Sequence, residues 1–251
     1  MKIHVLLSPL NVDELHFTGK TTVVIDVLRA TSTITTALHN GAREVVPVNS
    51  IEFAMKVSGN SFGGQTLLGG ERNTKKIEGF TLGNSPLEYT REAIEGKSLI
   101  LFTTNGTKAT VKAKFSENLF LAGFNNLEAV AKHLASLKND VEILCAGSNG
   151  MFCIEDTICA GKLIEKIEEL AGKTELSDSA KACVTLANSS GDDLLTMLKE
   201  CEHGKLLIEN GFEEDLEYIA ELDTIDAVPF FDSGVVKLIP SETKDKTDDN
   251  N

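Results

Sequence analysis

Short apolar runs alternate with amphipathic segments along most of the chain. The β-branched run at 23–25 is typical of a buried strand. Similar runs predict strands within 1–9 and at 44–48, 66–68, 98–102, 118–122, 141–146 and 235–239. Helical periodicity lies between them, most clearly at 127–137 and 155–170. This alternation predicts an α/β fold, a three-layer sandwich around a largely parallel or mixed sheet.

The length of 251 residues fits one large α/β domain or two small ones. We predict a single domain over 1–240, within which the helical and acidic part near 177–222 could form a second subdomain. Residues 241–251 are polar and poor in apolar side chains, which predicts a disordered acidic tail.

The net charge of −14 is concentrated in one part of the chain. Residues 155–226 contain 19 acidic and 6 basic side chains, whereas the rest of the chain is nearly balanced. Such a balance argues against nucleic acid and anionic membranes as partners. The polar segments after the strands lie mostly in the balanced part, which suits a site that accepts a small anion.

Targeting and redox signals are absent from the sequence. It has no apolar run of about 18 residues, and its N-terminus lacks the cleavage pattern of a signal peptide. We therefore expect a cytoplasmic protein. The five cysteines form no C-x-x-C pair, so we expect free buried thiols rather than disulfides or a zinc site.

Polar, glycine-rich clusters follow four of the predicted strands. They lie at 26–33, 69–73, 103–107 and 147–156. The carboxyl ends of parallel strands meet at one edge of a sheet, where ligands bind in α/β proteins. The four turns together therefore predict one shared site.

An acidic and a basic residue stand close together in the first two of these clusters. Asp26 could bind Mg²⁺ or act as a nucleophile, and Arg29 could hold phosphate or carboxylate oxygens. A salt bridge or a helix cap would use the same residue types. Glu71 and Arg72 repeat the pattern after two glycines, which let the backbone approach a ligand closely.

The cluster at 103–107 joins a strand to a helix. Helix N-termini present unpaired N–H groups, which suit phosphate, although an ordinary N-cap needs the same residue types. The Walker spacing is missing, so the segment is not a P-loop. We also expect Ser85 and Pro86 to begin a helix that runs to Ala93. The candidate phosphate-binding residues are Asn84, Ser85, Thr104, Asn105, Gly106 and Thr107.

Glu155 and Asp156 open the long helix after the fourth cluster. They could donate oxygens to Mg²⁺, or they could simply complement the helix dipole. The candidate metal ligands are thus Asp26, Glu71, Glu155 and Asp156. None of the five histidines lies in a strand-end turn, so a histidine-based mechanism is not favoured. A G-x-S-x-G elbow is also absent.

Together these segments resemble the 2-phosphosulfolactate phosphatases, a family linked to coenzyme M biosynthesis. The stretches that carry the resemblance are IDVLRATSTITTAL (25–38), LLGGERNTKKIEGFTLGNSPLEY (67–89), LFTTNGTKA (101–109) and CAGSNGMFCIEDTICAG (145–161). The resemblance implies an α/β fold of the family's own type. It also implies Mg²⁺-dependent hydrolysis of (2R)-2-phospho-3-sulfolactate and of related phosphorylated 2-hydroxy acids.

The resemblance also implies which residues form the site. Those inside the matching stretches are Asp26, Arg29, Glu71, Arg72, Asn84, Ser85, Thr104, Asn105, Gly106, Glu155 and Asp156. The sequence leaves open whether water attacks phosphorus directly or Asp26 first forms an aspartyl-phosphate. It also leaves the oligomeric state open, with a homodimer as one expectation.

Two alternatives accompany this interpretation. A haloacid-dehalogenase-type phosphatase would also place Asp26 after a buried strand, but it needs a second Asp where Leu28 stands. A non-catalytic module that binds anionic metabolites would use the same glycines and arginines, but it would need no acidic cluster.

Overall fold

A computed structural model describes residues 1–58, 65–191 and 193–239. The predicted tail at 241–251 and most of the predicted loop at 58–65 lie outside these residues. Within them, the strands are β1 Lys2–Leu6, β2 Thr21–Ile25, β3 Glu44–Val48, β4 Thr66–Arg72, β5 Lys75–Lys76, β6 Ser98–Phe102, β7 Asn118–Ala122, β8 Val141–Cys145, β9 Glu175–Leu176, β10 Pro229–Asp232 and β11 Val235–Leu238.

The helices fill the connections between the strands. They are α1 Ala30–His39, α2 Ile51–Ser58, α3 Arg91–Ile94, α4 Gly106–Lys112, α5 Leu127–Leu137, α6 Ile154–Ala171, α7 Asp178–Ser190, α8 Leu194–Glu200, α9 Glu202–Glu209 and α10 Glu213–Ala220. None of these helices is both long and apolar enough to cross a membrane.

All the strands join one mixed sheet in the order β5-β4-β6-β3-β11-β10-β7-β2-β8-β1-β9. Strands β4, β6 and β3 form one parallel block, and β7, β2, β8, β1 and β9 form a second. The antiparallel hairpin of β10 and β11 lies between the blocks and pairs antiparallel with β7 and β3. The two blocks therefore run in opposite directions along the sheet.

Helices cover both faces of this sheet. Val23 and Ile25 of β2 pack with α5, α6 and α7 on one face. Val24 points to the other face and packs with Ala109 of α4. Since successive strand residues point to opposite faces, the chain forms the three-layer α/β sandwich that the sequence predicted.

Most elements lie where the apolar runs placed them, but the segment 69–73 was wrongly predicted as a turn. Strand β4 continues through Arg72, and its Gly70 is paired with Phe102 of β6. A side chain at Gly70 would overlap the carbonyl oxygen of Phe102. The glycines therefore serve close strand pairing, and the chain turns only at Asn73 and Thr74, which have positive φ angles.

Two further predictions differ from the structure. The helix expected from Ser85 to Ala93 is divided into a 3-10 turn at Pro86–Glu88 and the short α3, which is capped by the Thr90 side chain. Strand β10 was also not predicted, because its sequence PFFD has three apolar residues in a row and no alternation of apolar and polar positions. The five cysteines are all free and buried, as expected.

The acidic helices α8, α9 and α10 pack against the same core as the sheet. Their buried residues Leu198, Leu207 and Leu216 belong to one hydrophobic cluster with Val27 and Leu28. Because Val27 and Leu28 directly follow β2, this packing places the acidic helices over the carboxyl end of that strand.

Candidate active site

The ends of β2, β4 and β6 meet at one small cavity below α9. Its lining includes Asp26, Glu71, Thr103, Asn105 and His203. Strands β2 and β6 belong to opposed blocks but are separated by five steps in the sheet. The cavity nevertheless joins residues at the ends of strands from both blocks, so the site does not need a shared edge of parallel strands.

Asp26 lies at the centre of this group and is buried. One of its carboxylate oxygens accepts a hydrogen bond from the Ala30 N–H at 3.3 Å. Burial, together with the nearby carboxylates of Glu71 and Glu155, raises the pKa of Asp26 to about 7, against the lowering effect of the Ala30 and Gly106 N–H groups. Asp26 therefore holds or releases a proton close to neutral pH.

The backbone around Asp26 is fixed by hydroxyl groups at the start of α1. The Thr31 hydroxyl donates to the Asp26 carbonyl at 2.8 Å and accepts from the Asp26 N–H at 3.1 Å. The Ser32 hydroxyl donates to the Val27 carbonyl at 3.0 Å. These bonds satisfy the backbone groups of a tight strand-to-helix turn and hold the Asp26 carboxylate in place.

The turn at 103–107 binds carboxylates through its backbone. The Thr104 N–H donates to one oxygen of Glu71 at 2.7 Å, and the Thr74 N–H donates to the other at 2.9 Å. Thr107 accepts from the Thr103 N–H at 2.9 Å, so its hydroxyl stabilises the turn itself. Of the N–H groups of this turn, that of Thr104 thus binds Glu71, whereas that of Thr107 donates to the Thr103 hydroxyl at 3.0 Å.

Gly106 can only be glycine in this arrangement. A side chain at this position would overlap the carboxylate of Asp26 and the Cβ of Ala30. The absent side chain lets α4 approach Asp26 closely enough for the Gly106 N–H to lower the pKa of that carboxyl. Gly106 thus determines how closely the 103–107 turn approaches the turn that contains Asp26.

Arg29 is buried and held in place by several neighbouring residues. Its guanidinium donates to Asp215 of α10 at 2.7 Å and to the Thr74 carbonyl at 3.0 Å, and it lies 4.3 Å from the centre of the Phe212 ring. Ser85 donates its hydroxyl to the other oxygen of Asp215 at 2.5 Å. Arg29 follows the cis peptide bond between Leu28 and Arg29. Arg29 thus forms a salt bridge with Asp215, which was the alternative to binding the oxygens of a substrate anion.

The two acidic residues of α6 have different surroundings. Asp156 accepts from the Val27 N–H at 2.9 Å and from the Gly147 N–H at 2.9 Å, so it ties the ends of β2 and β8 together. Burial, with Asp26 and Glu155 nearby, raises the pKa of Asp156 well above its usual range. Glu155 is buried and lies 3.8 Å from Nδ1 of His203.

Comparison with known proteins places the chain in a family. The family profile of 2-phosphosulpholactate phosphatase matches residues 7–234. A probable 2-phosphosulfolactate phosphatase of Clostridium perfringens strain 13 is 42% identical over 246 residues, which cover 97% of this chain and 99% of that protein. One of Caldanaerobacter subterraneus is 43% identical over 218 residues, 87% of this chain and 90% of that protein. The chain belongs to the 2-phosphosulfolactate phosphatase family. It is thereby grouped with the phosphoric monoester hydrolases, as the sequence resemblance implied.

The residues expected from this family are brought together only in part. Asp26, Arg29, Glu71, Asn84 and Asn105 line the cavity. Gly106 and Glu155 change the pKa of Asp26. Ser85 donates a hydrogen bond to Asp215, and Asp156 accepts one from the Gly147 N–H. Arg72 does not reach the cavity, because it follows Glu71 in β4 and points to the opposite side, where it is exposed.

The donor set is suited to a hard cation in charge and chemistry. Asp26, Glu71 and Glu155 are buried carboxylates that repel one another, and a cation would relieve that repulsion. The buried Asn84 Oδ1, on the cavity lining, has no hydrogen-bond partner among the described residues and offers a further oxygen. In the described part of the chain, however, no three acidic, His or Cys side chains already converge as a metal site.

Sequence reasoning missed His203 and Asp215. Both come from the acidic helices, which the charge pattern identified only as a solvated face. Burial lowers the pKa of His203, and Arg29 lowers it further, against the raising effect of Glu155 and Glu71. The sequence signal was weak: these are single polar residues on amphipathic helices, and only the packing of Leu207 and Leu216 on the core orients them inward.

Proposed function

We propose that this protein is a Mg²⁺-dependent phosphatase that hydrolyses (2R)-2-phospho-3-sulfolactate and related phosphorylated 2-hydroxy acids. The observation that carries the proposal is a cavity lined by the buried carboxylates of Asp26 and Glu71 together with Arg29 and His203, with Glu155 near enough to raise the pKa of Asp26. Family membership and the names of the relatives support the phosphoric ester as substrate. Cytoplasmic location and a place in coenzyme M biosynthesis belong to the same proposal.

Asp26, Glu71 and Glu155 would hold the metal. Asp156 is assigned a structural role instead, because it accepts hydrogen bonds from the Val27 and Gly147 N–H groups and so joins the ends of β2 and β8. When bound, Mg²⁺ neutralises these carboxylates and polarises the oxygens of the phosphoryl group. The chain's own contribution is to hold the carboxylates in place through the N–H groups of Ala30, Thr104 and Gly106.

Asp26 is positioned for one of two roles. With a pKa of about 7, it is partly ionised at neutral pH and could attack phosphorus or accept a proton from an attacking water. The His203 imidazole is kept neutral by its lowered pKa and could accept a proton as well. Arg29 is fixed by Asp215, so it provides a stationary positive charge rather than a mobile clamp.

The cavity is small in this conformation. Its volume of about 10 Å³ has room for about one water molecule. A phosphoryl group can therefore bind only when a wall of the cavity moves outward. Two larger clefts adjoin the cavity, one beyond Glu155 and His203 and one beyond Thr104.

The test is phosphate release from (2R)-2-phospho-3-sulfolactate, phospholactate and an aryl phosphate, each with Mg²⁺ or with EDTA. We expect release to require Mg²⁺ and to favour the two 2-hydroxy acid esters. Release that is equal in EDTA would contradict the metal role. Binding of the esters without any release would favour the anion-binding module.

The Asp26→Asn variant tests the central residue. We expect kcat to fall by about 10³-fold or more, since nucleophilic and acid–base groups contribute on that scale. Asp178→Asn is the matched control, because Asp178 is an exposed carboxylate at the start of α7. Unchanged turnover in Asp26→Asn would exclude both roles for Asp26. Trapping with a phosphate mimic that modifies Asp26 would select the phosphoenzyme route.

A further inference from the structure

A cleft of about 640 Å³ opens beside α9, next to the small cavity around Asp26, which we call the Asp26 cavity. His203 lines both spaces. Its Nδ1 lies 3.8 Å from Oε1 of Glu155, a residue that lines the cleft and also raises the pKa of Asp26. The cleft and the Asp26 cavity therefore meet at His203.

A short hairpin after β8 forms one side of this cleft. Ser148 and Met151 exchange two backbone hydrogen bonds, of 3.0 and 2.9 Å, around Asn149 and Gly150. Both central residues have positive φ angles, 52° and 80°, as a tight Asn-Gly hairpin turn requires. The Asn149 N–H also donates to Oδ1 of Asn105, a residue that lines the Asp26 cavity, at 3.0 Å. The hairpin is therefore held in a fixed position beside that cavity.

Large apolar side chains line the cleft and remain exposed. They are Met151, Phe152, Ile154 and Leu206, with exposed fractions from 37% for Ile154 to 66% for Met151. Small-molecule sites are concave and mostly apolar, and apolar side chains that are exposed together mark a binding surface. The lining is therefore suited to an uncharged, apolar group.

The charged side chains of the cleft disfavour an anion. Its carboxylates are those of Glu155, Glu202 and Glu209, and its lysine is Lys205. Even when Glu155 serves as a metal ligand, the two remaining carboxylates exceed the lysine in number. A sulfonate in the cleft is thus repelled, whereas an alkyl group is not.

We propose that this cleft binds an apolar substituent on C2 of the substrate, so that alkyl-bearing phosphorylated 2-hydroxy acids are preferred over the sulfonate-bearing one. The inference rests on the proposed phosphatase function and narrows its substrate class. The phosphoryl group binds at Asp26, and the substituent passes His203 and contacts Leu206. A branched alkyl side chain continues several bonds beyond the ester oxygen, so one substrate can occupy both spaces once the wall at His203 moves outward.

Substrate preference is the first measurement. It compares kcat/KM, with Mg²⁺, for the phosphate esters of 2-hydroxy-4-methylpentanoate, lactate and 3-sulfolactate. An isobutyl group buries more apolar area than a methyl group, so we expect kcat/KM for the 4-methylpentanoate ester to exceed that for phospholactate by about tenfold, mainly through KM. The sulfolactate ester is expected to be no better a substrate than phospholactate.

The Leu206→Asn variant tests where this preference arises. We expect its ratio of kcat/KM between the 4-methylpentanoate ester and phospholactate to fall by about fivefold, because an apolar contact is lost. Leu170→Asn is the matched control, since Leu170 is 46% exposed near the end of α6 and Leu206 is 44% exposed. Its ratio is expected to change by less than about twofold.

The Glu202→Gln variant tests the charge of the cleft without removing any apolar contact. We expect it to raise kcat/KM for the sulfolactate ester by about two- to fivefold, the scale of an exposed charge interaction. The 4-methylpentanoate ester, which has no charge on its substituent, should change less. An equal change for both esters would contradict the argument from charge.

Two outcomes would overturn the proposal and leave the phosphatase function intact. One is a higher kcat/KM for the sulfolactate ester than for the 4-methylpentanoate ester. The other is a conversion from dimer to monomer in Leu206→Asn, measured by sedimentation, because the apolar lining would then be an interface between two copies of this chain.

Calorimetry with the phosphate-free acids separates the cleft from the reaction. If no ester is hydrolysed, tighter binding of 2-hydroxy-4-methylpentanoate than of 3-sulfolactate, weakened in Leu206→Asn, would retain the cleft and refute the phosphatase function. Equal binding of the two acids in such a protein would refute both.

Discussion

The two sides of the Asp26 cavity are built in different ways. On the sheet side, Asp26 and Glu71 are held by N–H groups of nearby turns, namely those of Ala30, Thr74 and Thr104. On the helical side, His203 and Asp215 come from a distant part of the chain and are held by contacts between side chains. The sheet side is therefore fixed by local backbone geometry, and the helical side by tertiary packing.

This difference explains what each side can contribute. Backbone N–H groups are retained in every substitution except one to proline, so most point mutations leave the carboxylates close together even though they repel one another. The helical side supplies Asp215, which balances the positive charge of Arg29, and it supplies His203 to the cavity lining. Side-chain substitutions are thus expected to disturb the contacts of the helical side more than those of the sheet side.

The largest expected effect on stability comes from breaking the link between the two sides. Asp215→Asn leaves the buried Arg29 guanidinium without its counter-charge, which is expected to lower the free energy of unfolding by about 3–5 kcal/mol. The control is Glu95→Gln, since the Arg91–Glu95 pair has the same 2.7 Å distance but is exposed. Exposed pairs contribute about 0–1 kcal/mol. Urea unfolding of both variants measures the difference.

Equal losses in the two variants would show that burial does not control the strength of the Arg29–Asp215 pair. A small loss in Asp215→Asn with lost activity would mean instead that the pair orients the helical side without stabilising the fold. Either result would change the division of roles between the two sides of the cavity.

The carboxylates of the sheet side are expected to make stability depend on pH. The folded-state pKa of Asp26 is raised from 3.8 to about 7, so the folded protein keeps a proton that the unfolded chain loses. Stability is fully present below about pH 4 and falls as the pH rises to about 7. Between pH 5 and pH 8 we expect a loss of about 3 kcal/mol, at 1.36 kcal/mol per pH unit.

Urea unfolding in EDTA at pH 5 and pH 8 measures this loss, with Asp26→Asn as the comparison. The variant is expected to lose less stability than the wild type over the same interval. Adding Mg²⁺ at pH 8 is expected to restore part of the wild-type stability, because a bound cation favours the ionised carboxylates. Identical pH dependence in both proteins would contradict the raised pKa of Asp26.

The sequence predicted the sheet side far better than the helical side, and the reason is physical. Segments such as 98–102 and 127–137 form their elements from local periodicity, so their bounds agree with β6 and α5. Asp26 and Gly106 are recognisable because tight turns after strands restrict the residue types. The hairpin of β10 and β11 joins the two opposed blocks by pairing with β7 and β3, and no local pattern encodes that pairing.

Arg29 and Arg72 illustrate the same limit within the site. Both follow an acidic residue near a strand end, so the sequence treated them alike. The structure separates them, because Arg29 is buried against Asp215 and Arg72 is exposed on the other side of β4. Only the position of α10, which is more than 180 residues away from Arg29 along the chain, distinguishes the two.

The smallest of these effects concerns the role of His203 in the reaction. If the helical side takes part in proton transfer, His203→Gln should lower kcat by about 10²-fold, equivalent to about 2.7 kcal/mol in the activation barrier. His39→Gln, at the exposed end of α1, is the matched control and should change kcat less than twofold. Phosphate release and urea unfolding are measured on both variants. A fall in stability without a fall in kcat would mean that His203 only closes the cavity, and that the chemistry belongs entirely to the sheet side.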